Sequence, residues 1–320
     1  MAKASIPSKL KVVVLNAENL FVFMDRWSGA DPRIMTEPQW QLSNAGLLDN
    51  KPLKKLHDLA HSIRLLDADL ILITEVGGHA SLENFNQHFM GGQYQTFLEE
   101  GNSDRGIDMG FLVRGPWAFH IKSHRDHVLP HPKIQRFSRD VLRLELRFED
   151  EIWFNILLVH LKSKLNMRGE DFEGRTRRAI EVRALAELSH KMVQSFSLFL
   201  GGDFNGIAQL SDPEPEFLPL YHLANLKDAA EVAQLPDEDR FSYIHFRSGV
   251  RILQQLDYLF LNTAAQGLLI PESVQFPRYQ DAQGNPLPVP KVFDQKKHLP
   301  SDHFPMYAEF DLTRHPRWKD

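Results

Sequence analysis

The 320-residue chain has no cysteine, so disulfides, thiolate metal sites and cysteine nucleophiles are all excluded. It also has no excess of basic charge: 37 Lys and Arg stand against 42 Asp and Glu, a net charge of -5. That balance excludes a broadly cationic, non-specific nucleic-acid binder. It leaves open a nuclease with a local basic patch and an enzyme of smaller phosphate esters. Long apolar runs are missing too. None approaches the roughly 18 residues of a membrane span, so no stable membrane insertion is expected. The opening MAKASIPSKLKVVVLN carries only the short VVVL run. This is too little for the core of a secretory leader, and it reads as a first strand. A cytoplasmic, monomeric protein is the default expectation.

What is present is ordinary for an enzyme-sized soluble protein: 42% hydrophobic and 25% charged residues. Eight apolar runs have strand length and β-branched content: 11–16, 68–76, 107–114, 140–149, 152–161, 195–203, 256–262 and 306–312. In the fourth, Leu142, Leu144, Leu146 and Phe148 alternate with Arg143, Glu145 and Arg147. Glu149, Asp150 and Glu151 then predict a hairpin turn. Leu56, Ala60, Ile63 and Leu66 in 52–66 predict one amphipathic helix. Ile180, Ala184 and Leu188, with Leu185 beside them, predict another over 173–193. The polar or proline-rich stretches 24–51, 115–138, 211–240 and 271–299 read as long insertions that shape a binding site. With no repeat, linker or composition break, residues 1–320 read as one domain.

The stretch FLFLGGDFNG drives an apolar run into two glycines and then presents Asp203 and Asn205. Alone it is a turn signal. The other strand ends change its weight. The first ends at Asn16, with Glu18 just beyond; the second at Glu75; the fifth at His160. The seventh begins near Asp257, and Ser301, Asp302 and His303 precede the last. Side chains next to a strand are held more rigidly than those in a long loop. This collection suits metal-assisted phosphodiester hydrolysis. Glu75 and Asp302 offer oxygen ligands to a hard divalent ion, with Asn16 completing the shell. Asp203 and His303 are candidates for activating water, and His160 for contacting the phosphate. Asn205 would orient the phosphate or the water. Asp257 would accept a bond from an imidazole, His303 being the favoured partner.

The segments LNAENL, ILITEV, RGIDMGFLVR, VHLKSK, GGDFNG, LDYLF and SDHFP follow one another from residue 16 to 305. In wording and order they resemble the endonuclease/exonuclease/phosphatase superfamily, with its deoxyribonuclease I-like fold, and most nearly its bacterial predicted nucleases. The resemblance implies an α/β fold, a four-layer sandwich of two central sheets packed face to face with helices outside. It implies dependence on Mg²⁺ or Mn²⁺, with Glu75 and Asp302 as principal ligands. It also gathers Asp203, Asn205, His160 and the Asp257–His303 pair at the scissile phosphate.

Substrate choice in that superfamily lies in loops. The reading adopted is a nuclease acting on DNA or RNA as a transient substrate. Its alternative is a phosphatase or phosphodiesterase of small esters such as inositol phosphates, phospholipid headgroups or nucleotides. Arg105, Asp108 and Lys162 are further candidates for phosphate binding. The arginines 168, 175, 177 and 178 form a basic patch interleaved with acids. His57 and His61 lack the glutamate of a zinc-protease HExxH motif. The histidines 120, 124, 127 and 131 could form a second contact or metal group, and the tryptophans 27, 40 and 117 could stack on a base.

Overall fold

A computed structural model describes residues 5–164, 171–193 and 196–319. Among these are fourteen strands. The first seven are β1 (Lys9–Leu20), β2 (Leu70–Val76), β3 (Gln95–Glu99), β4 (Asp108–Val113), β5 (Ala118–Ser123), β6 (Val141–Phe148) and β7 (Glu151–His160). The others are β8 (Ser197–Asp203), β9 (Lys227–Asp228), β10 (Tyr243–Arg247), β11 (Val250–Gln254), β12 (Asp257–Leu261), β13 (Leu269–Gln275) and β14 (Met306–Asp311).

They build two six-stranded mixed sheets, in the orders β13-β14-β1-β2-β4-β3 and β5-β6-β7-β8-β12-β9. Each sheet has a parallel pair at its centre, β1 with β2 and β7 with β8, flanked by antiparallel neighbours. Strand periodicity decides which layer each side chain joins. Val12 and Val14 of β1 turn inward with Leu70 and Leu72. They meet Leu142, Leu144, Ile156, Leu158 and Phe199 of the other sheet in a central core. Val13, Leu15, Ile71 and Ile73 turn outward, under the helices Leu53–Leu66 and Gly78–Phe89. Leu157, Val159, Leu198 and Leu200 likewise pack outward beneath the helix Arg175–Met192. Three apolar interfaces between four layers make an α/β sandwich, in which each fully buried Leu or Val contributes about 1.5–3 kcal/mol.

The expected helix over 52–66 buries Leu56, Ala60 and Ile63 as its spacing requires. The second helix buries Ala184, Leu185 and Leu188 as its spacing requires, with Ile180 half-buried. Arg178, Glu181, Val182 and Ser189 are buried beside them, so the inward face is wider than the apolar spacing alone marks. Arg178 bonds Glu216 at 2.7 Å and Arg175 meets the same carboxylate, fastening the helix to its neighbour, while Arg177 pairs with Glu181 within the helix and donates to the Arg136 carbonyl. Arg168 lies outside the described residues. Trp40 and Trp117 are buried in the core, and the buried ring of His124 holds the Val141 carbonyl.

Candidate active site

Both sheets offer polar side chains at the same end of their central strands. In the second sheet, His160 on β7, Asp203 on β8 and Asp257 on β12 are cross-strand partners in one row. The two glycines before Asp203 make this row possible. A Cβ on Gly201 would lie 2.7 Å from Leu72 of the facing sheet. One on Gly202, whose φ is +135°, would lie 1.9 Å from the Val159 carbonyl oxygen. Only glycine allows so close an approach of backbones.

The first sheet reaches the site through an irregularity. β1 does not stop at Asn16 but continues to Leu20, and its register against β2 shifts between Asn16 and Leu20. β2 has a matching shift against β4 between Thr74 and Val76. Glu18, Asn19 and Glu75 all have positive φ, at 48°, 53° and 61°. Such bulges re-aim side chains, and their strain is kept where the surroundings over-determine it. Here they turn two carboxylates and an amide into the cleft.

That cleft encloses about 840 Å³. Its floor carries Glu18, Glu75, His160, Asp203, Asn205, Asp302 and His303. His160 Nε2 lies 3.5 Å from Asp203 Oδ2 and 3.9 Å from Glu75 Oε1. Asp203 accepts hydrogen bonds from Asn16 Nδ2 at 3.0 Å and from the Asn205 amide at 2.8 Å. Asn205 Nδ2 donates to the Leu161 carbonyl at 3.1 Å. His303 Nδ1 is 2.7 Å from Asp257 Oδ2, and its Nε2 is 4.0 Å from Asp203 Oδ2. The Ser242 hydroxyl accepts from the Asp257 amide, and the Ser301 hydroxyl binds the Asn16 carbonyl and accepts from the His303 amide. Two serines thus fix both ends of the pair.

Burial separates the charge states. It pushes the Asp203 carboxyl up to about 7, with Asp257 adding to the rise and His303 opposing it. Burial would lower the His303 imidazole, but the carboxylates around it, Asp257 first and then Asp203 and Asp302, together outweigh it and raise the group to about 10. The carboxylates beside His160 lie farther off, at 3.5 and 3.9 Å. Burial and the Arg139 charge hold it well below the usual imidazole value, and its Nδ1 has no hydrogen-bond partner. The site therefore pairs a neutral imidazole with a cationic one on either side of a carboxyl group poised near neutrality.

Asp203, Asp257 and His303 have ligand atoms within 4.8 Å of one another, close enough to hold a metal ion. Their existing bonds compete with that use: His303 Nδ1 is engaged by Asp257, and both Asp203 oxygens already accept. Glu75, Glu18 and Asp302 present carboxylate oxygens to the cleft, the donor set a hard divalent cation prefers.

No protein-family model matches the chain, and no curated protein is similar to it. Solved structures do match. D. rerio TDP2 complexed with a single-strand DNA product aligns at a TM-score of 0.60 and 15% identity, covering 95% of this chain and 99% of that one. The human Nocturnin catalytic domain with a bound sulfate anion gives 0.59 and 13%, covering 95% of each. An endonuclease/exonuclease/phosphatase family protein of Bacteroides thetaiotaomicron gives 0.55 and 14%, covering 96% and 98%. The chain has the endonuclease/exonuclease/phosphatase fold.

On this fold, Asn16, Glu75, His160, Asp203, Asn205, Asp257, Asp302 and His303 converge. The remaining sequence candidates divide. Arg105 lines the cleft and donates to Asn19 Oδ1 at 2.9 Å. Asp108 is buried at the start of β4, where it accepts from the Gly101 amide, and Lys162 packs against Gly174. Neither lines the cleft; Ser163 and Lys164 do.

Sequence reasoning missed Arg139. It is 8% exposed and lines the cleft, donates from Nη1 to the Leu161 carbonyl at 3.1 Å, and has a buried Nε without a partner. Its place just before the apolar alternation of β6 was the available signal. The β10–β11 hairpin was missed as well. It stands apart from both sheets and turns Tyr243, His245, Arg247 and Ile252 toward the cleft.

Proposed function

We propose that this chain is a single-domain member of the endonuclease/exonuclease/phosphatase superfamily and hydrolyses phosphodiesters of nucleic acid with a divalent cation, as a nuclease. The observation that carries the reading is the facing of Glu75 and Asp302 against the Asp203–His303–Asp257 group, with His160 between, across one cleft. Glu75, Asn16 and Asp302 would hold Mg²⁺ or Mn²⁺. When bound, the ion polarises the phosphoryl group and offsets charge on its oxygens.

The chain's own residues do the rest. Asp203, with its pKa near 7, accepts a proton from the attacking water as the water oxygen bonds to phosphorus. The bond to the leaving oxygen breaks, and that oxygen takes up a proton from solvent in the open cleft. His303, kept cationic by Asp257, attracts the negative phosphoryl group. His160 and Asn205 contact its non-bridging oxygens. Arg139 adds a buried guanidinium charge at the cleft wall, which attracts the phosphate.

Nucleic acid is favoured by the cationic side chains spread along the cleft, Arg105, Arg139, Lys164 and Arg247, which suit a continuous phosphate backbone. The D. rerio neighbour carries a single-strand DNA product, which agrees.

The test is cleavage of supercoiled plasmid and of a single-stranded oligonucleotide with Mg²⁺ or Mn²⁺. A chelated control and the Asp203→Ala protein run alongside. Cleavage lost in both controls is the expected result. Intact nucleic acid together with hydrolysis of a nucleotide, inositol-phosphate or phospholipid-headgroup ester would transfer the site to small substrates. Hydrolysis of none would overturn the reading.

A further inference from the structure

We propose that a buried ion pair behind the cleft, Arg240 with Asp228, positions the Asp257–His303 pair through the Gln255 side chain and the strap 240–243. Neither Arg240 nor Asp228 lines the cleft. The inference rests on the reading of Asp257 and His303 as part of a phosphodiesterase centre.

Asp228 stands on the short edge strand β9, opposite Phe260 of β12, and is fully buried. Its Oδ2 accepts from Arg240 Nη2 at 3.0 Å and from Gln255 Nε2 at 2.9 Å. Arg240, buried as well, donates from Nε to Gln255 Oε1 at 3.3 Å. The ion pair therefore grips the Gln255 amide by both its nitrogen and its oxygen. Gln255 Nε2 also donates to the Asp257 carbonyl at 3.3 Å, and the Gln255 carbonyl accepts from the Tyr258 hydroxyl at 2.7 Å. A buried amide with its polar atoms all engaged is held in one rotamer, and here it holds the first residue of β12.

From Arg240 the chain runs directly to the other half of the pair. Ser242 Oγ accepts from the Leu256 and Asp257 amides at 3.0 and 2.9 Å, and the Ser242 carbonyl accepts from the Phe304 amide at 2.7 Å. Tyr243 then pairs with the His303 backbone, its ring 4.8 Å from the imidazole. The strap 240–243 thus touches the strand that carries Asp257 and the loop that carries His303. Those two residues lie 46 positions apart and meet at 2.7 Å, a contact that a small displacement of either segment would break.

Stability does not account for this ion pair. Replacing a buried pair by apolar side chains of similar volume is often neutral or stabilising. Burial, with the nearby Glu231 charge adding to it and Arg240 opposing, pushes the Asp228 carboxyl up to about 6. A carboxyl raised in the folded state loses stability as pH climbs past its ordinary value, so at neutral pH its charge weakens the fold. What the pair supplies is a fixed geometry. Arg240 and Asp228 are positioning residues, and Gln255 is the link.

The experiment is a double-mutant cycle on the full chain, read as kcat and KM for a bis-nitrophenyl phosphodiester with Mn²⁺. Asp228→Leu with Arg240→Met removes the ion pair as a unit and leaves no lone buried charge. Gln255→Met cuts the link and leaves the ion pair in place. Each is made in the wild type and in Asp257→Asn, and denaturant unfolding confirms that each protein is folded. In the wild-type background kcat should fall roughly ten- to a hundredfold, with KM changed less than about twofold. In the Asp257→Asn background neither change should lower kcat further, because the group being positioned is already lost. Should the ion-pair variant fail to fold, Gln255→Met carries the test alone. An equal fall in both backgrounds would overturn the inference, since a general loosening of the fold acts whether or not Asp257 is present. Folded variants with wild-type kcat would overturn it too, and either result would leave the proposed function standing. A wild type without activity on the diester, or an Asp257→Asn protein as active as the wild type, would overturn the reading of the site and the inference with it.

Discussion

The two sheets bring unlike chemistry to the same cleft. The first sheet supplies Asn16, Glu18 and Glu75 from bulged, positive-φ segments, and its carboxylates stay partly exposed: the Glu75 side chain is 16% exposed and that of Glu18 25%. The second supplies His160, Asp203 and Asp257 from regular ladder positions, with side chains no more than 2% exposed. Oxygen donors that remain wet suit a hard cation. Acids and imidazoles that are dry have their proton affinities pushed apart, which suits proton transfer. On the proposed function, the difference would divide cation binding and proton handling between the two sheets. Loops then add what neither sheet provides: His303 and Arg139.

Breaking the second half should have the largest effect. Gly202→Ala places a Cβ against the Val159 backbone at a φ that favours glycine, so it should cost more than about 4 kcal/mol, read by denaturant unfolding. Near-wild-type stability would mean that β8 tolerates displacement and that the row of His160, Asp203 and Asp257 is not rigid.

Breaking the first half should act through the cation. Glu75→Gln should raise the Mg²⁺ concentration for half-maximal activity by roughly tenfold or more, with partial rescue by added metal. An unchanged metal requirement would take cation binding away from the first sheet.

The mildest change sharpens the comparison through pH. Asp203 must be ionised to accept a proton, so activity should rise with pH through about 7. His303 is raised to about 10, so its charge, and its stabilising pairing with Asp257, is complete below the ordinary imidazole value and lost as pH rises through about 10. Asp257→Asn removes the first of the carboxylates that together outweigh burial. The alkaline limb of the rate profile should then move down from about 10. An alkaline limb that stays in place would mean that His303 does not set it.

The sequence was most legible where strands are covered on both sides. The eight strands read from apolar runs are β1, β2, β4, β14, β6, β7, β8 and β12, all interior to their sheets. Those missed, β3, β5, β9 and β13, are the four edges, together with the β10–β11 hairpin. The interior strands here are either nearly all apolar or, as in β6 and β14, alternate apolar and polar residues cleanly, whereas an edge strand mixes polar residues irregularly and tolerates proline, as β13 does at Pro271. β5 alternates exposed and half-buried positions and was therefore absorbed into the 115–138 insertion.

The site follows the same logic. Asn16, Glu75, His160, Asp203 and Asp302 stood out because each interrupts or adjoins an apolar run. Arg139 and Arg240 lie in polar surroundings, and only the folded chain buries them. The backbone strain at Glu75 had no sequence signal, because glutamate seldom adopts a positive φ.

The most direct measurement is the initial rate of hydrolysis of a small activated phosphodiester, which needs the chemical centre but not the long cleft. It should be taken with Mn²⁺, with chelator, and with the Asp203→Ala protein. Hydrolysis with Mn²⁺ should be abolished by the chelator and reduced roughly a thousandfold by the substitution. Hydrolysis that survives chelation, or an Asp203→Ala protein as active as the wild type, would contradict it.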